Sequence, residues 1–198
     1  MSFILGLTGS IGMGKSTTTG FFRDAGIPVW DADAAVHAMY AKGGAAVAPL
    51  AATHPDAIQD GAVNRAALRD WIAQVPTALT QIEAIVHPLV AQDRAAFIAQ
   101  HADAPLIVLD IPLLFEGGGE KALDATLVVS APADVQRARV LARPGMTEAH
   151  FQTILSKQMP DAEKRARATY VIETTSLEQT RADVLDLINR LTGGQSDA

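Results

Sequence analysis

Short aliphatic runs alternate along the chain with longer stretches of helical period. The run Phe3-Ile4-Leu5-Gly6-Leu7-Thr8 lacks the in–out alternation of a half-solvated strand, and glycines follow it. That is the pattern of a strand buried on both faces. From Lys15 to about Ala25 the period turns helical, and Gly26 closes it before a second run, Ile27-Pro28-Val29-Trp30. A glycine there suits the left-handed turn that ends many helices. Strand, glycine loop, helix and strand make a βαβ unit.

Between Ala32 and about Gln100 no run predicts a strand, whereas Leu79, Ile82, Val86, Leu89 and Val90 recur at helical spacing. This stretch reads as a helical insertion, with Pro88 kinking or breaking its longest helix. Leu106–Asp110 and Ala125–Val129 are buried-strand runs that end before Pro112 and Pro132. A charged helical region covers Ala133–Ala168, Tyr170–Glu173 reads as a fifth strand, and Leu177–Leu191 as an amphipathic helix. The tail after Thr192 is expected to fray. Strands alternating with helices predict an α/β fold, a parallel sheet with helices on both faces.

Composition narrows the partners. The 198 residues fit one domain with room for an inserted lobe, and 48% apolar content is enough for a full core. A net charge of −6 leaves no diffuse basic surface, so neither nucleic acid nor an anionic membrane is an expected partner and any anion must be held locally. Cysteine is absent, which excludes thiolate catalysis and cysteine-ligated metals and fits a cytoplasmic location. Gly9 interrupts the first apolar run far short of the roughly 18 residues of a membrane span, and no basic segment precedes it. No export signal is expected.

Gly9-Ser10-Ile11-Gly12-Met13-Gly14-Lys15-Ser16 matches the phosphate-loop pattern and lies between the first strand and the first helix, the setting that pattern requires. Glycines let the backbone curl so that successive amides face phosphate oxygens. The helix beginning near Lys15 adds its positive end. Lys15 is expected on the β- and γ-phosphates of ATP, the Ser16 hydroxyl on a bridging Mg2+, and the Thr17 amide on the α-phosphate. A glycine-rich turn followed by a chance Lys-Ser is the alternative, and it leaves the setting unexplained.

Three further features bear on class. Asp110 closes the third strand, where a carboxylate holds magnesium through water; without the loop beside it, a strand-end turn residue would be the better reading. Asp31 and Asp33 follow the second strand, on the side of a parallel sheet where ligands collect, and Asp31 suits a helix cap, leaving Asp33 for chemistry. Arg139 and Arg143 are four apart in a cation-rich segment and face one way on a helix, as a solvated face or as the arginines of a lid over a transferring phosphoryl. Neither the Asn-Lys-x-Asp nor the Asp-x-x-Gly string of a regulatory GTPase occurs. A small-molecule kinase is the reading that is left.

Leu7–Thr17, Gly26-Ile27-Pro28-Val29, Asp31-Ala32-Asp33, His87-Pro88-Leu89, Ile111-Pro112-Leu113-Leu114-Phe115-Glu116, Gln158-Met159-Pro160 and Lys164-Arg165-Ala166, in this order, resemble the dephospho-CoA kinase family. The resemblance implies a phosphate-loop kinase fold with a five-stranded parallel sheet, a helical CoA-binding lobe over about 34–100 and a lid over about 132–168. It implies transfer from ATP to the ribose 3′-hydroxyl of dephospho-CoA in the last step of coenzyme A synthesis, by a monomer or weak homo-oligomer. Asp33 resembles the family's base, Arg139 and Arg143 its lid arginines, and His87 and Leu113 lie on its acceptor side. Two positions depart from the pattern. Glu173-Thr174-Thr175-Ser176 stands where Asp-Asn-x-Gly is usual, and Met13 where many relatives have a small residue.

Overall fold

A computed structural model describes residues 2–193. Along the chain run β1 (Phe3–Thr8), α1 (Lys15–Asp24), β2 (Val29–Asp31), α2 (Ala32–Tyr40), α3 (Val47–Thr53), β3 (Ile58–Gln59), β4 (Ala62–Val63), α4 (Arg65–Gln74) and α5 (Ala78–Gln100). They are followed by β5 (Leu106–Asp110), β6 (Ala125–Ser130), α6 (Ala133–Leu141), α7 (Glu148–Leu155), α8 (Asp161–Arg167), β7 (Tyr170–Glu173) and α9 (Leu177–Gly193). Two compact units divide them, Met1–Trp30 with His101–Ala198, and Asp31–Gln100.

The main sheet is parallel, in the order β2-β5-β1-β6-β7. β1 lies at its centre, with Leu5 in register with Val108 on one side and Ala125 on the other. A central parallel strand has no solvent face, which is why Phe3–Thr8 shows no alternation. Leu5, Leu7, Val108, Leu127 and Val129 pack with Phe22 of α1 and with Val184 and Leu187 of α9 in one buried cluster.

α1 ends as its sequence predicts. Gly26 takes a left-handed φ of 78°, its N–H reaches Arg23 O at 2.9 Å, and Ile27 N reaches Phe22 O at 3.0 Å. This double bond pattern satisfies carbonyls that the helix end would otherwise leave bare. The next strand begins at Val29 and not at Ile27, since those two residues complete the helix stop.

Two expectations for Ala32–Gln100 are corrected. α5 runs unbroken from Ala78 to Gln100 with Pro88 inside it, so Pro88 does not end the helix. Proline removes one hydrogen bond, and the burial of Ala78, Ile82 and Val86 along one face holds the helix together. The segment also contains strand, a hairpin pairing Ile58 with Val63 and Gln59 with Ala62. Its turn is Asp60-Gly61, both at positive φ (52° and 79°), the dipeptide that suits a two-residue hairpin. Strands of two residues are too short to show a period, so the turn was the signal to read.

The charged region 133–168 resolves into α6, α7 and α8. α9 continues through Thr192 to Gly193, and the rest of the tail expected to fray lies outside the described residues.

Candidate active site

The loop between β1 and α1 is shaped by glycines at two points. Gly12 has φ 78°, and a Cβ there would lie 2.5 Å from Val140 Cγ2 and 3.0 Å from Gln136 O, so α6 lies directly against the loop. Gly14 has φ 86°, and its Cβ would meet Thr174 Oγ1 at 2.7 Å. As the N-cap of α1, Gly14 brings no side chain to the helix, and the first turn contains no acid. The first-turn amides therefore keep their positive end for an external anion. Ser16 and Thr17 are exposed there.

Two expected amide donors are otherwise engaged. Met13 N–H donates to Ser10 O at 3.1 Å, closing a turn inside the loop, while the Met13 side chain is buried and its Sδ accepts from Ala131 N at 3.0 Å. Ile11 N–H donates to Gln158 Oε1 at 3.1 Å. Gly9 and Ser10 are buried beneath the turn.

Lys15 and Asp110 meet. Lys15 Nζ lies 2.6 Å from Asp110 Oδ1, and Thr19 Oγ1 donates to Asp110 Oδ2 at 2.9 Å. Sheet register explains the meeting, because Asp110 pairs with Leu7 and stands level with the start of the loop. Asp110 is 2% exposed, so the ammonium and the hydroxyl compensate a carboxylate that would be costly to bury alone. Thr19, four residues past Lys15 on the same helix face, is a site residue that the i, i+4 rule could have found.

For a divalent cation the donor set is incomplete by itself. Among the described residues no group of three or more His, Cys, Asp or Glu is placed to hold a metal. Exposed Ser16 and a carboxylate with lone pairs to spare fit an ion that brings phosphate oxygens and water with it, the habit of Mg2+.

The segment after β7 explains the departure from the family pattern. Thr174 is 5% exposed; its N–H donates to Ser130 O at 2.8 Å and its hydroxyl to Met13 O at 2.8 Å. Arg139 of α6 donates to both the Thr174 hydroxyl, at 3.0 Å, and the Thr174 carbonyl. Ser176, at the place of the usual glycine, accepts from Gln179 N at 3.3 Å and starts α9. Arg143 is exposed and lies past the end of α6 at Leu141, so the expectation that the two arginines face one way on a helix is corrected: the helix stops before its next turn could carry Arg143.

The second unit holds Asp31, Asp33 and His87. Asp31 caps α2, its Oδ1 accepting from Ala34 N at 2.9 Å. Asp33, in the first turn of α2, is exposed. His87 is exposed on α5 and so is not a core histidine. In the first unit Leu113 is 49% exposed beside buried Leu114 and Phe115.

The remaining motif residues tie the segment after β5 to α8. Glu116 Oε1 pairs with Lys164 Nζ at 2.9 Å and accepts from Met159 N at 2.8 Å. Arg167 pairs with Glu120 at 3.0 Å and sits 5.2 Å above the Phe115 ring. Burial would raise the Glu116 carboxyl, but the hydrogen bonds from Lys164 and the Met159 amide outweigh it and hold the group below its ordinary value.

A parallel sheet with an uncapped, glycine-led helix behind its central strand, and a lysine–aspartate pair at that helix's mouth, defines the phosphate-loop nucleotide-binding class. The family model for dephospho-CoA kinase matches residues 3–179. The chain is 64% identical over 194 residues to the dephospho-CoA kinase of Jannaschia sp. (strain CCS1), covering 98% of this chain and 100% of that one. It is 57% identical to that of Ruegeria pomeroyi over the full length of both. A crystal structure of a Thermus thermophilus protein superposes with a TM-score of 0.83 at 37% identity, over 96% of this chain and 97% of that one. The dephospho-CoA kinase of Campylobacter jejuni, 20% identical, shares the fold at a TM-score of 0.74 over 98% and 100% of the two chains. The chain belongs to the dephospho-CoA kinase family.

Proposed function

We propose that Lys15, the amides at the start of α1, Asp33, Arg139 and Arg143 carry out phosphoryl transfer from ATP to the ribose 3′-hydroxyl of dephospho-CoA. The chain is an ATP-using kinase of coenzyme A biosynthesis, acting at its last step. What supports this assignment of roles is the Lys15–Asp110 pair, 2.6 Å apart, at the open end of α1. A polyphosphate arriving there meets helix amides and an ammonium already held by Asp110, whose carboxylate is in turn fixed by the Thr19 hydroxyl. Magnesium, held by Ser16 and through water by Asp110, would neutralise charge on the β- and γ-phosphates.

Asp33 accepts the proton of the 3′-hydroxyl as the bond from that oxygen to the γ-phosphorus forms and the bond to the β,γ-bridging oxygen breaks, releasing ADP. Asp31 is consumed by its cap, which leaves Asp33 as the exposed carboxylate of the pair. Arg139 has three N–H groups beyond the two given to Thr174, and Arg143 is exposed; both stabilise the equatorial oxygens of the transferring group. His87 and Leu113 contact the acceptor. The segment 132–168 acts as the lid and 34–100 as the acceptor lobe. The protein works in the cytoplasm as a monomer or weak homo-oligomer, without nucleic acid. Among the described residues no helix is long and apolar enough to cross a membrane.

The test is the position of the new phosphate. With ATP, Mg2+ and dephospho-CoA, phosphorus NMR of the product should show a 3′-phosphomonoester formed in step with ADP. A phosphate at any other position, or ADP without a phosphorylated product, would overturn the reading.

A further inference from the structure

Ile11 stands in the middle of the phosphate loop, and its N–H and its C=O are each held by a glutamine side chain from elsewhere. Gln158 Oε1, on the connection between α7 and α8, accepts from Ile11 N at 3.1 Å. Gln136 Nε2, on α6, donates to Ile11 O at 2.8 Å. Gln136 is 6% exposed, and its own carbonyl is one of the atoms that a Cβ at Gly12 would strike, so this grip belongs to a packed contact and not to a surface side chain. Both glutamines also line a cleft of about 280 Å³ that reaches the loop at Ser10. We propose that Gln136 and Gln158 are positioning residues that hold the phosphate loop in its curl before nucleotide arrives, and so set its affinity for the polyphosphate.

A loop of glycines has many conformations to lose, and any ordering left until binding subtracts from affinity. Satisfying the N–H and the C=O of one central residue orients the two peptide planes that flank it, with no side chain added inside the curl. Glutamine is suited to the task. Its amide offers the acceptor that Ile11 N–H needs and the donor that Ile11 O needs, while bringing no negative charge beside incoming phosphates. The two grips come from separate elements of the segment assigned as lid, so the loop's conformation is linked to how those elements are seated. The proposal rests on the reading of Gly9–Ser16 as a nucleotide site and on nothing about the acceptor.

The experiment uses ADP as probe, titrated calorimetrically without acceptor, together with amide exchange at Ile11 measured by NMR in the nucleotide-free protein. Gln158→Met keeps length and loses the acceptor. It should weaken ADP about tenfold and speed exchange at Ile11 by a similar factor, the worth of one lost hydrogen bond. Gln158→Glu should keep the slow exchange, because a carboxylate accepts the same N–H, and still weaken ADP through its charge. Gln136→Met should weaken ADP to a similar extent and provides a second arm if Gln158→Met folds poorly. Exchange at Ile11 as slow in Gln158→Met as in the parent, or ADP affinity unchanged in both methionine variants, would show that the glutamines only fill space. Failure of the parent protein to bind ADP would remove the nucleotide site itself, and the proposal with it.

Discussion

At the scale of single residues the proposed chemistry turns on two pairs of side chains. Asp31 accepts the Ala34 amide and Asp33 is exposed, so substitution should separate their roles although they stand two positions apart. Asp33→Asn keeps shape and loses the base; kcat should fall by roughly 10²- to 10⁴-fold with ATP affinity retained. Asp31→Asn, still a competent cap, should cost little. Steady-state kinetics showing the reverse ranking would exchange the two assignments. The second pair is Lys15 and Asp110. Lys15→Ala should abolish most activity and also strand a buried carboxylate, lowering stability by about 3 kcal/mol, as when one partner of a buried ion pair is removed. Adding Asp110→Asn to Lys15→Ala should restore much of that stability in urea unfolding without restoring turnover. If the double variant were as unstable as Lys15→Ala, the pair would have no compensating role.

Arg139 and Arg143 belong to the scale of elements, since Arg139 also joins α6 to the segment after β7. Arg143→Ala should lower kcat by about 10²-fold or more with little change in KM for ATP, the behaviour of a lost electrostatic stabiliser. Arg139→Ala should lower kcat similarly and raise KM as well, because Thr174, which bonds Met13 in the loop, loses its guanidinium. Wild-type kcat in both variants would make the pair a solvated face. The tie between Glu116 and α8 carries a stability prediction with a definite sign. Its carboxyl is held below its ordinary value, so its contribution is present above the unfolded carboxylate range and is lost as pH falls through the folded value. Glu116→Gln, which leaves Lys164 buried and unpaired, should cost about 3 kcal/mol at neutral pH. The gap between variant and parent in chemical denaturation should close as pH falls below about 4. A gap that stayed constant from neutral to acid pH would mean that packing and not charge makes the tie.

Legibility in the sequence followed the range of the interactions involved. β1 and β5 were readable to the residue because a buried strand needs nothing but its own side chains, β7 because Val171 and Ile172 are β-branched although only Ile172 is buried at that sheet edge, and Gly26 because a helix stop is local. Asp60-Gly61 was equally local and should have announced its hairpin. Pro88 misled because the packing that carries a helix through a proline is not written beside it. Contacts between Thr174 and Met13, or Gln158 and Ile11, span more than 140 positions, so their partners appear only once the sheet has assembled them.

For the whole molecule, the question is what separates a kinase from a hydrolase built on the same loop. Water is present at about 55 M, so an enzyme that transfers to an acceptor must hold that acceptor in line and keep water from the γ-phosphorus. Three features of the chain would serve this end in the proposed mechanism. The Asp31–Gln100 unit carries an exposed carboxylate, Asp33, in the first turn of α2; Arg139 lies on α6 and Arg143 just past its end; and the net charge of −6 leaves the start of α1 as a local site for an anion. ATP with Mg2+ alone should therefore be consumed slowly, and dephospho-CoA should accelerate ADP release far above that rate. Nucleoside monophosphates, shikimate and gluconate at the same concentration should not. Acceptor selectivity of this kind reflects binding energy from parts of the substrate remote from the reacting oxygen, so a fragment lacking the pantetheine arm should lose kcat as well as affinity. A coupled assay for ADP across this panel reads every arm. Equal rates with and without each acceptor would assign the chain to nucleotide hydrolysis, and acceleration by shikimate or gluconate in place of dephospho-CoA would keep the kinase and overturn its acceptor.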